Sequence, residues 1–419
     1  MAVRNRTVLA IGIFVLLAAV VVLGRWYDTH RAQAQRSTQK DILVHVTNGS
    51  DRGPGTLREA LLILAAAPGP GSISIEVPSI SLETALPALV NGHGVRLLGQ
   101  APGAQIDAQA LNAGPVLDIS GPDTTVQGLT LKNCPGAAIL VRAVRFHLSD
   151  SSIDSCDVGV EIAASASDAL LERNHFRKNR LGVRFAASGH NAVVANNEFS
   201  EHKDTALWAV RSTPDSHDEA IGIHDNKFTE DQTGIVAGNI PVRVERNDFI
   251  NIHEAAVHVV GAGAVIRGNR IDGGASMGVI VENARGAIVE GNELQGIAAY
   301  GVMVRGSANT LVQANRLYNC GYGLAFVLGD AHSASSAVDN TIIEPKFNGI
   351  DVVGDSPILR RNQVLRAHAY ALNVQDFQLA NGQKVQAQPF LDNNNFGNSP
   401  ISRNTMVAAP PKPSSAVPQ

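Results

Sequence analysis

The chain has 419 residues, of which 39 are glycine and only 5% are aromatic. Its formal net charge of −4 excludes a uniformly basic surface, so the composition predicts no nucleic-acid partner. The length suits either two ordinary domains or one elongated domain made of repeats, so internal repeats decide between them.

The first predicted element is a membrane-spanning helix. Residues 7–24 form an uncharged apolar run, and a helix of that length extends about 27 Å at ~1.5 Å per residue, close to the hydrocarbon thickness of a bilayer. Trp26 and Tyr27 follow the run and suit the aromatic belt of a membrane interface. We therefore expect residues 1–40 to comprise a cytoplasmic stub, a transmembrane anchor in a bacterial inner membrane and a juxtamembrane linker.

A cleaved signal peptide is the alternative interpretation of this segment, because Ala32 and Ala34 form an A-x-A pattern. The anchor predicts a single-pass protein whose body lies in the periplasm or outside the cell. The signal peptide predicts a secreted protein. In both cases the body leaves the cytoplasm.

A short amphipathic helix is the next element. The stretch "TLREALLILAAA" begins at Thr56, and Thr56 and Glu59 form a capping box. We expect this helix to cover the open end of the first repeat, since a stack of repeats needs its terminal apolar edge capped.

From residue 126 onward the chain repeats itself. The pattern apolar-x-x-Asn-x-apolar gives eleven rows, mostly 21–23 residues apart, which begin at Val126, Leu148, Leu171, Val194, Ile223, Val244, Ile266, Val289, Val312, Val338 and Leu359. Asn fills the fourth slot in eight rows: Asn174, Asn197, Asn226, Asn247, Asn269, Asn292, Asn315 and Asn362. A Gly or Ala follows in every row and precedes a short alternating stretch such as "GVRF".

This period, with short strands and no helical pattern, predicts an all-β fold: a single-stranded right-handed parallel β-helix of about 11 to 13 coils over residues 41–400. The Asn side chains suit a left-handed bend between strands and can hydrogen-bond to the Asn of the next coil. Residues 401–419, rich in Pro, Ser and Ala, are predicted to be a disordered tail.

Two cysteines occupy the same slot of adjacent rows. Cys134 and Cys156 each follow the apolar slot by three residues, and neighbouring coils are ~4.8 Å apart, near the Cα separation that a disulfide accepts. This placement predicts that the two cysteines form a disulfide if the protein lies in an oxidising compartment. The alternative is two buried free thiols. Cys320 lies many coils away and is predicted to be free.

Strand alternation places one side chain of each coil outward on the strand after the Gly corner: Glu161, Arg184, Trp208, Val236, His258, Ile280, Met303, Ala325 and Asp351. Trp208 is notable because an aromatic ring can stack on a sugar ring. The alternative is that the tail or a protein partner covers this semi-apolar stripe.

An insertion lies in the coil of Trp208. The segment "RSTPDSHDEA" begins at Arg211 and makes the turn of this coil the longest in the repeat, and added loops on repeat proteins commonly carry function. The sequence predicts catalytic roles for Lys203, Arg211, Asp215, His217 and Asp218, and substrate-binding roles for Arg184, His202, Asp204, Trp208 and His258. His217 or Lys203 would transfer a proton, and Arg184 or Arg211 would neutralise a uronate carboxylate.

The repeat resembles the large right-handed β-helix superfamily of carbohydrate-binding and sugar-cleaving proteins, and "VTNGSDRGPGTLREAL" is similar to the entry segment of its secreted bacterial members. The superfamily includes pectate and alginate lyases, polygalacturonases, alginate C5-epimerases and periplasmic proteins that help mature nitrous-oxide reductase. Asp215, His217 and Asp218 are similar to the Asp-Pro-His-Asp motif of the epimerases, with Ser216 in place of Pro and a position after the strand rather than at its corner.

The resemblance implies a membrane-anchored, extracytoplasmic β-helix that binds an acidic polysaccharide and modifies it as a lyase or epimerase. A non-catalytic polysaccharide-binding or scaffold protein of envelope or exopolysaccharide assembly is the alternative. Metal handling through the His and carboxylate residues is a further alternative, and Ca²⁺ is the one cofactor that the sequence leaves open.

Overall fold

A computed structural model describes residues 41–100, 103–186, 190–213, 219–261, 263–329 and 334–407. The described chain winds into three long sheets, here named A, B and C. Strands are numbered β1 to β42 in chain order, and each regular coil contributes one strand to each sheet, while the coils at the two ends deviate from this pattern. The single described helix, α1 (Leu57–Ala65), precedes the regular coils.

Sheet A contains, from one end to the other, β1 (Ile42–Val46), β2 (Gly71–Ile75), β4 (Val95–Gly99), β7 (Thr125–Gln127), β10 (His147–Ser149), β13 (Leu170–Glu172), β16 (Val193–Ala195), β19 (Ile221–His224), β22 (Val242–Glu245), β25 (Ala264–Arg267), β28 (Ile288–Glu290), β31 (Leu311–Gln313), β34 (Ser336–Val338), β37 (Ile358–Arg360) and β41 (Phe390–Asp392). Sheet B contains β3 (Ser79–Ser81), β5 (Gln105–Asp107), β8 (Thr130–Lys132), β11 (Ser152–Asp154), β14 (His175–Arg177), β17 (Glu198–Ser200), β20 (Lys227–Thr229), β23 (Asp248–Ile250), β26 (Arg270–Asp272), β29 (Glu293–Gln295), β32 (Arg316–Tyr318), β35 (Thr341–Ile343) and β38 (Gln363–Leu365).

Sheet C contains β6 (Leu117–Ile119), β9 (Ala137–Val141), β12 (Val158–Ile162), β15 (Leu181–Phe185), β18 (Thr205–Val210), β21 (Thr233–Gly238), β24 (Ala255–Val260), β27 (Met277–Glu282), β30 (Tyr300–Arg305), β33 (Tyr322–Val327), β36 (Ile350–Val353), β39 (Leu372–Gln378) and β40 (Lys384–Val385). The last strand, β42 (Ile401–Val407), also pairs with β39. Strands of successive coils pair in parallel, and among the described strands only β39 and β40 are antiparallel.

The 13 strands of sheet B mark about 13 coils, which confirms the predicted parallel β-helix. Apolar side chains of all three sheets point inward and form one continuous core along the solenoid. Four phenylalanines from consecutive coils stack within it, with ring centroids 4.7 to 4.9 Å apart: Phe176, Phe199, Phe228 and Phe249.

A ladder of buried asparagines runs along the turn between sheets A and B. Each Nδ2 except the last donates to the Oδ1 of the next Asn at 2.9 to 3.0 Å. The members are Asn174, Asn197, Asn226, Asn247, Asn269, Asn292, Asn315, Asn340, Asn362 and Asn394, whose own Nδ2 donates to the Leu359 carbonyl. The ladder therefore has ten members. Asn340 escaped the sequence pattern because Ala337, not Val338, pairs with Val312, so the predicted tenth row was one residue out of register.

The left-handed bend of this turn lies one residue before each ladder asparagine, not on it. Arg173, Asp225 and Arg246, for example, have φ of 54°, 57° and 54°. The bend directs the side-chain amide of the following Asn into the interior, where it hydrogen-bonds to backbone groups that the turn would leave unpaired. The prediction that the Asn itself adopts the left-handed bend is thus wrong. The prediction that its side chain hydrogen-bonds to the Asn of the next coil is correct.

Helix α1 packs its buried Leu57, Ala60, Leu61 and Leu64 against the first coils. The Thr56 side chain caps it by accepting from the Glu59 amide, while Glu59 accepts from the Gly55 amide at 2.6 Å. No helix among the described residues is long and apolar enough to span a membrane. The predicted anchor at residues 7–24 lies outside the described residues.

The far end of the solenoid extends past residue 400. Strand β42 lies inside the segment 401–419 that the sequence assigns to a tail, and residues 408–419 lie outside the described part. Cys134 and Cys156 are joined by a disulfide between adjacent coils, with their Cα atoms 4.3 Å apart. Cys320 is a buried free thiol, and burial raises its pKa to about 11.

Candidate functional site

The outward side of sheet C carries the stripe that alternation predicts. Pairing between coils aligns, in order, Leu140, Glu161, Arg184, Trp208, Val236, His258, Ile280, Met303, Ala325, Asp351 and Asn373. We call this row the C stripe. It differs from the outer sides of sheets A and B because most of its members are uncharged.

Trp208 lies in the C stripe on a small apolar cluster of its own. The first residues of the three preceding strands, Ala137, Val158 and Leu181, form this cluster outside the main core, and Leu140 and Trp208 pack against it. Trp208 remains half-buried. The indole therefore rests on an apolar base and presents the rest of its surface to solvent.

Arg184 is the neighbour of Trp208 on the preceding coil, directly opposite it in register. It is half-buried and forms no ion pair or side-chain hydrogen bond with any residue that the structure describes. Glu161 is its other neighbour in the stripe, yet no contact within ion-pair distance joins the two. An uncommitted guanidinium thus lies beside an indole.

His202 lies inside the solenoid, which contradicts its predicted substrate-binding role. It follows the left-handed Glu201, so the turn directs it inward as it does the ladder asparagines. Its imidazole is completely buried, and Nδ1 lies 2.7 Å from Oδ1 of the equally buried Asp231 on the next coil. Nε2 is 3.4 Å from Nδ2 of Asn179 on the preceding coil. His202 is an interior residue and cannot contact a polymer.

Lys203 and Asp204 lie at the start of strand β18, at the turn from sheet B. Lys203 is exposed, and Asp204 contacts Arg180 at 3.4 Å. Arg211 lies beyond the opposite end of β18, where its guanidinium is 3.4 Å from the Asn239 carbonyl. The six residues of β18 span about 17 Å, five steps of ~3.3 Å, and Lys203 and Arg211 lie beyond its two ends. Lys203 and Arg211 therefore do not share one site, contrary to the prediction.

The insertion itself is only partly described. Residues 211–213 and 219–220 are placed, whereas Asp215, His217 and Asp218 lie outside the described residues. The loop connects sheet C to sheet A with ten residues between β18 and β19, and eight residues connect β33 and β34. Both long loops thus leave the solenoid along the same edge of sheet C.

His258 belongs to an ion-pair chain on the C-terminal side of Trp208. Its Nε2 lies 3.3 Å from Oε2 of Glu282, whose Oε1 lies 3.4 Å from Nη1 of Arg305. The hydrogen bond from His258 holds the pKa of Glu282 below its usual range. The predicted substrate contact of His258 thus competes with a partner already in place.

An aromatic group farther along sheet C was not predicted as a site. The rings of Tyr300 and Tyr322 stack at 4.6 Å, and those of Tyr322 and Phe347 at 4.9 Å. Phe347 is 49% exposed. In the sequence, Tyr-Gly at residues 300–301 and again at 322–323 is the signal that could have revealed a stacked pair one coil apart.

Asp351 lies beside this aromatic group and is only 4% exposed although it belongs to the C stripe. Nδ2 of Asn348 and Nδ2 of Asn373 both donate to its Oδ1, at 2.8 and 2.9 Å. Burial raises the pKa of Asp351 and outweighs these hydrogen bonds. Burial, the Asp351 carboxylate and the neighbouring Tyr322 together raise the pKa of Tyr300 to about 12.

Within the described ranges, no three or more His, Cys, Asp or Glu side chains are grouped so that they could hold a metal ion. Shallow grooves occur on the other faces. One of about 380 Å³ is lined by charged residues around Asp225 and Arg246, and one of about 310 Å³ on sheet B includes Arg316 and Tyr318. The sheet B groove is a second place to test for ligand binding.

Known proteins share this fold. A family model described as "Right handed beta helix region" matches residues 90–217 and 213–364. A comparison with curated protein sequences gives no match. The catalytic unit of a thermostable GH87 alpha-1,3-glucanase from Streptomyces thermodiastaticus strain HF3-3 is 14% identical, with 87% of this chain and 71% of that chain covered and a TM-score of 0.59.

Two further solved structures are similar. The tailspike protein of E. coli bacteriophage HK620, in complex with a pentasaccharide, is 10% identical over 84% of this chain and 78% of that chain, with a TM-score of 0.59. PfbA, a surface adhesin of Streptococcus pneumoniae, is 13% identical over 83% and 94%, with a TM-score of 0.52. These identities show a shared fold alone. Because the family model covers well over half of its length, the chain belongs to the right-handed β-helix family.

Proposed function

We propose that this protein binds an acidic polysaccharide along the outer side of sheet C, with a sugar ring on Trp208 and the carboxylate of that sugar on Arg184. The observation that carries the proposal is the pairing, in register, of a half-exposed indole with a guanidinium that has no partner among the described residues.

The chemistry of the pair matches a uronate. The flat face of an indole suits the C–H face of a pyranose ring, and a guanidinium forms charge-assisted, often bidentate hydrogen bonds with a carboxylate. The apolar cluster beneath Trp208 fixes the ring, so little side-chain freedom is lost on binding. A coil spacing of ~4.8 Å is close to the length of one sugar residue, which suits a ligand laid lengthwise.

The similar structures support a carbohydrate ligand in this limited sense: the tailspike protein was solved with a pentasaccharide, and the enzyme of similar fold is a glucanase. A likeness of fold does not specify the ligand. The acidic character of the proposed ligand therefore rests on Arg184.

The proposal also places the body outside the cytoplasm, held at a bacterial inner membrane by residues 7–24. The disulfide between Cys134 and Cys156 supports this compartment, because disulfides persist in the periplasm and are rare in the cytosol.

Modification of the bound polymer is the second candidate function. A lyase or C5-epimerase removes the proton beside a neutralised carboxylate, and Arg184 is placed to neutralise it. The base would be Lys203, which precedes β18, or His217, which belongs to the insertion and lies outside the described residues. A non-catalytic scaffold of envelope or exopolysaccharide assembly would use the same binding face without these bases.

Binding is tested by titrating the full-length chain, purified in detergent, with oligogalacturonate in a calorimeter. We expect Trp208→Ala and Arg184→Gln each to weaken binding at least tenfold, and added salt to weaken the wild type more than Arg184→Gln. Arg316→Gln and Tyr318→Ala on sheet B are the matched controls and should bind as the wild type does. If only the controls lose binding, the ligand lies in the sheet B groove and the proposal is wrong.

Catalysis is tested separately by ultraviolet detection of unsaturated sugar ends, and by proton exchange at C5, with pectate and alginate. Product that disappears in Lys203→Ala or His217→Ala would support modification. Retained binding without product would favour the scaffold.

A further inference from the structure

A second group on sheet C has the composition of a sugar subsite. Tyr300, Tyr322 and Phe347 form a continuous stack of three rings from three coils, and Asp351 lies at its side. In the C stripe, the residues of the four coils after Trp208 are Val236, His258, Ile280 and Met303. Met303 shares strand β30 with Tyr300. The two aromatic groups are therefore about four to five coils apart, or roughly 20 Å.

The Asp351 carboxyl is held in a defined position beside the aromatic rings. Asp351 is almost completely buried on an outward position, where the small Ala325 of the preceding coil leaves it room. Both amide donors reach Oδ1. Among the described residues none donates a hydrogen bond to Oδ2, and none forms an ion pair with this carboxyl. One oxygen is thus oriented by its neighbours, and the other is open to a ligand.

A hydroxyl is the ligand group that suits this oxygen. A hydroxyl both donates and accepts, so it can bond to the carboxyl whether Asp351 is protonated or ionised. A uronate carboxylate would be repelled by the ionised form, and no described cation lies within ion-pair distance of Asp351 to offset that repulsion. The subsite therefore favours a neutral sugar, in contrast to the Trp208 and Arg184 pair.

We propose that Tyr300, Tyr322, Phe347 and Asp351 form a second subsite that binds a neutral sugar residue, so that the ligand is a heteropolysaccharide with both acidic and neutral sugars, bound lengthwise along sheet C. This inference rests on the proposed function, because it takes the acidic subsite at Trp208 as the other anchor. One chain of roughly five sugar residues would span the two subsites at the coil spacing.

Two linked subsites predict a steep dependence on chain length. Once one end of a chain is bound, the other end binds as an intramolecular step, and affinity can rise by 10²-fold or more without a new kind of contact. A chain too short to reach both subsites gains nothing. A chain of one sugar type finds only one favourable subsite however long it is.

The test compares three probes of equal length on the full-length chain: gellan oligosaccharides, which mix glucuronate with neutral sugars, oligogalacturonate, which is acidic throughout, and cello-oligosaccharides, which are neutral. We expect long gellan oligomers to bind roughly a hundredfold more tightly than the other two probes and than short gellan oligomers. Phe347→Ala and Tyr322→Ala should abolish this advantage and leave oligogalacturonate binding unchanged.

Conservative variants separate binding from folding. Tyr322→Phe keeps the stack and should keep the advantage of long gellan oligomers, whereas Tyr318→Ala on sheet B is the matched surface control. Asp351→Asn removes the charge, so oligogalacturonate should gain access to this subsite and the preference for mixed chains should narrow. Circular dichroism of each variant verifies the fold.

The outcomes are distinguishable. If Trp208→Ala abolishes binding while Phe347→Ala and Tyr322→Ala change nothing, the second subsite is refuted and the proposed function stands. If the aromatic variants weaken binding while Trp208→Ala and Arg184→Gln do not, the second subsite stands and the proposed function is wrong. Equal affinity for mixed and purely acidic chains refutes the heteropolysaccharide.

Discussion

Replacing His202 alone should destabilise the solenoid strongly, because it leaves a buried carboxylate without its partner. His202 and Asp231 are both fully buried and 2.7 Å apart at Nδ1 and Oδ1. The backbone amide of His202 also donates to Asp231 Oδ1 at 3.0 Å. The other oxygen, Oδ2, is buried with no hydrogen-bond partner in the described part of the chain.

The magnitude follows from what each change leaves behind. His202→Leu should cost ~3–5 kcal/mol, the range for removing one partner of a buried charged pair. Asp231→Ile removes the carboxylate together with its unsatisfied oxygen and leaves only the imidazole without its hydrogen-bond partner, so we expect ~1–3 kcal/mol. Ile252 occupies the equivalent position one coil later and is fully buried, so an aliphatic side chain suits this column. The double variant should therefore lie within about 1 kcal/mol of the wild type.

The assay is urea unfolding of the full-length chain in detergent at neutral pH, followed by circular dichroism for the wild type, the two single variants and the double variant. The coupling energy is the difference between the double variant and the sum of the singles, and we expect ~3 kcal/mol or more. Additive losses would refute the reasoning, because they would mean that the two side chains do not stabilise each other. A cost below about 1 kcal/mol for His202→Leu would do the same.

Two further changes test the core and the second subsite. Phe228→Ala removes a ring stacked at 4.8 and 4.7 Å between two others, and urea unfolding should show a loss of ~3–5 kcal/mol in the free energy of unfolding. Phe347 is exposed, so Phe347→Ala should lower this free energy by under about 1 kcal/mol. Similar losses for the two variants would contradict the assignment of Phe228 to the core. Burial raises the pKa of Asp351. The wild type therefore loses folding stability as the pH rises from the ordinary pKa of an Asp to the raised pKa of Asp351. Over this pH range Asp351→Asn should be thermally more stable than the wild type, and in stronger acid the two should not differ. The control is Asp51→Asn, for which the stability change should have the opposite sign. Burial raises the pKa of Asp51, but hydrogen bonds from Thr84 and Arg58 outweigh burial, so the pKa is lowered. Asp51→Asn should therefore be less stable than the wild type at neutral pH and equally stable in acid.

The repeat could be predicted because its inward positions recur at a fixed interval. Leu171, Val194 and Ile223, for example, occupy one column in the sequence pattern and one column in sheet A. Trp208 was correctly placed outward because alternation is strict inside a strand. The insertion near residue 330 shifted the count by one, and the pattern then selected Val338 where Ala337 fills the core.

Strand alternation and the fixed repeat do not predict side-chain positions at the turns. His202 follows a left-handed residue, and alternation does not hold across such a bend, so an interior side chain was assigned to the surface. Tyr322 and Phe347 were overlooked because their contact depends on how two turns of different length stack. Asp351 was known to be outward, but its burial arises from side chains of three coils that no single row contains. Sequence periodicity therefore predicts columns well and contacts between neighbouring columns poorly.

The choice of sheet C follows from how charges are arranged around the solenoid. On sheets A and B, many outward charges pair with charges of neighbouring coils: Arg267 pairs with Glu290 at 2.8 Å on sheet A, and Arg177 with Asp154 at 2.6 Å on sheet B. Such pairs at exposed positions contribute little energy, and guanidiniums without an ion pair to any described residue also occur on these sheets, at Arg243 and Arg316 for example. On sheet C, Arg184 faces an indole instead of a carboxylate, and Asp351 faces amides instead of a cation. A parallel solenoid stacks equivalent positions of successive coils at one spacing, so a ligand laid lengthwise can contact Arg184 and, farther along, Asp351. Sheet C combines these two groups with aromatic rings, Trp208 beside Arg184 and the stack of Tyr322 and Phe347 beside Asp351. The two longest loops from sheet C to sheet A, each only partly described, leave from its edge.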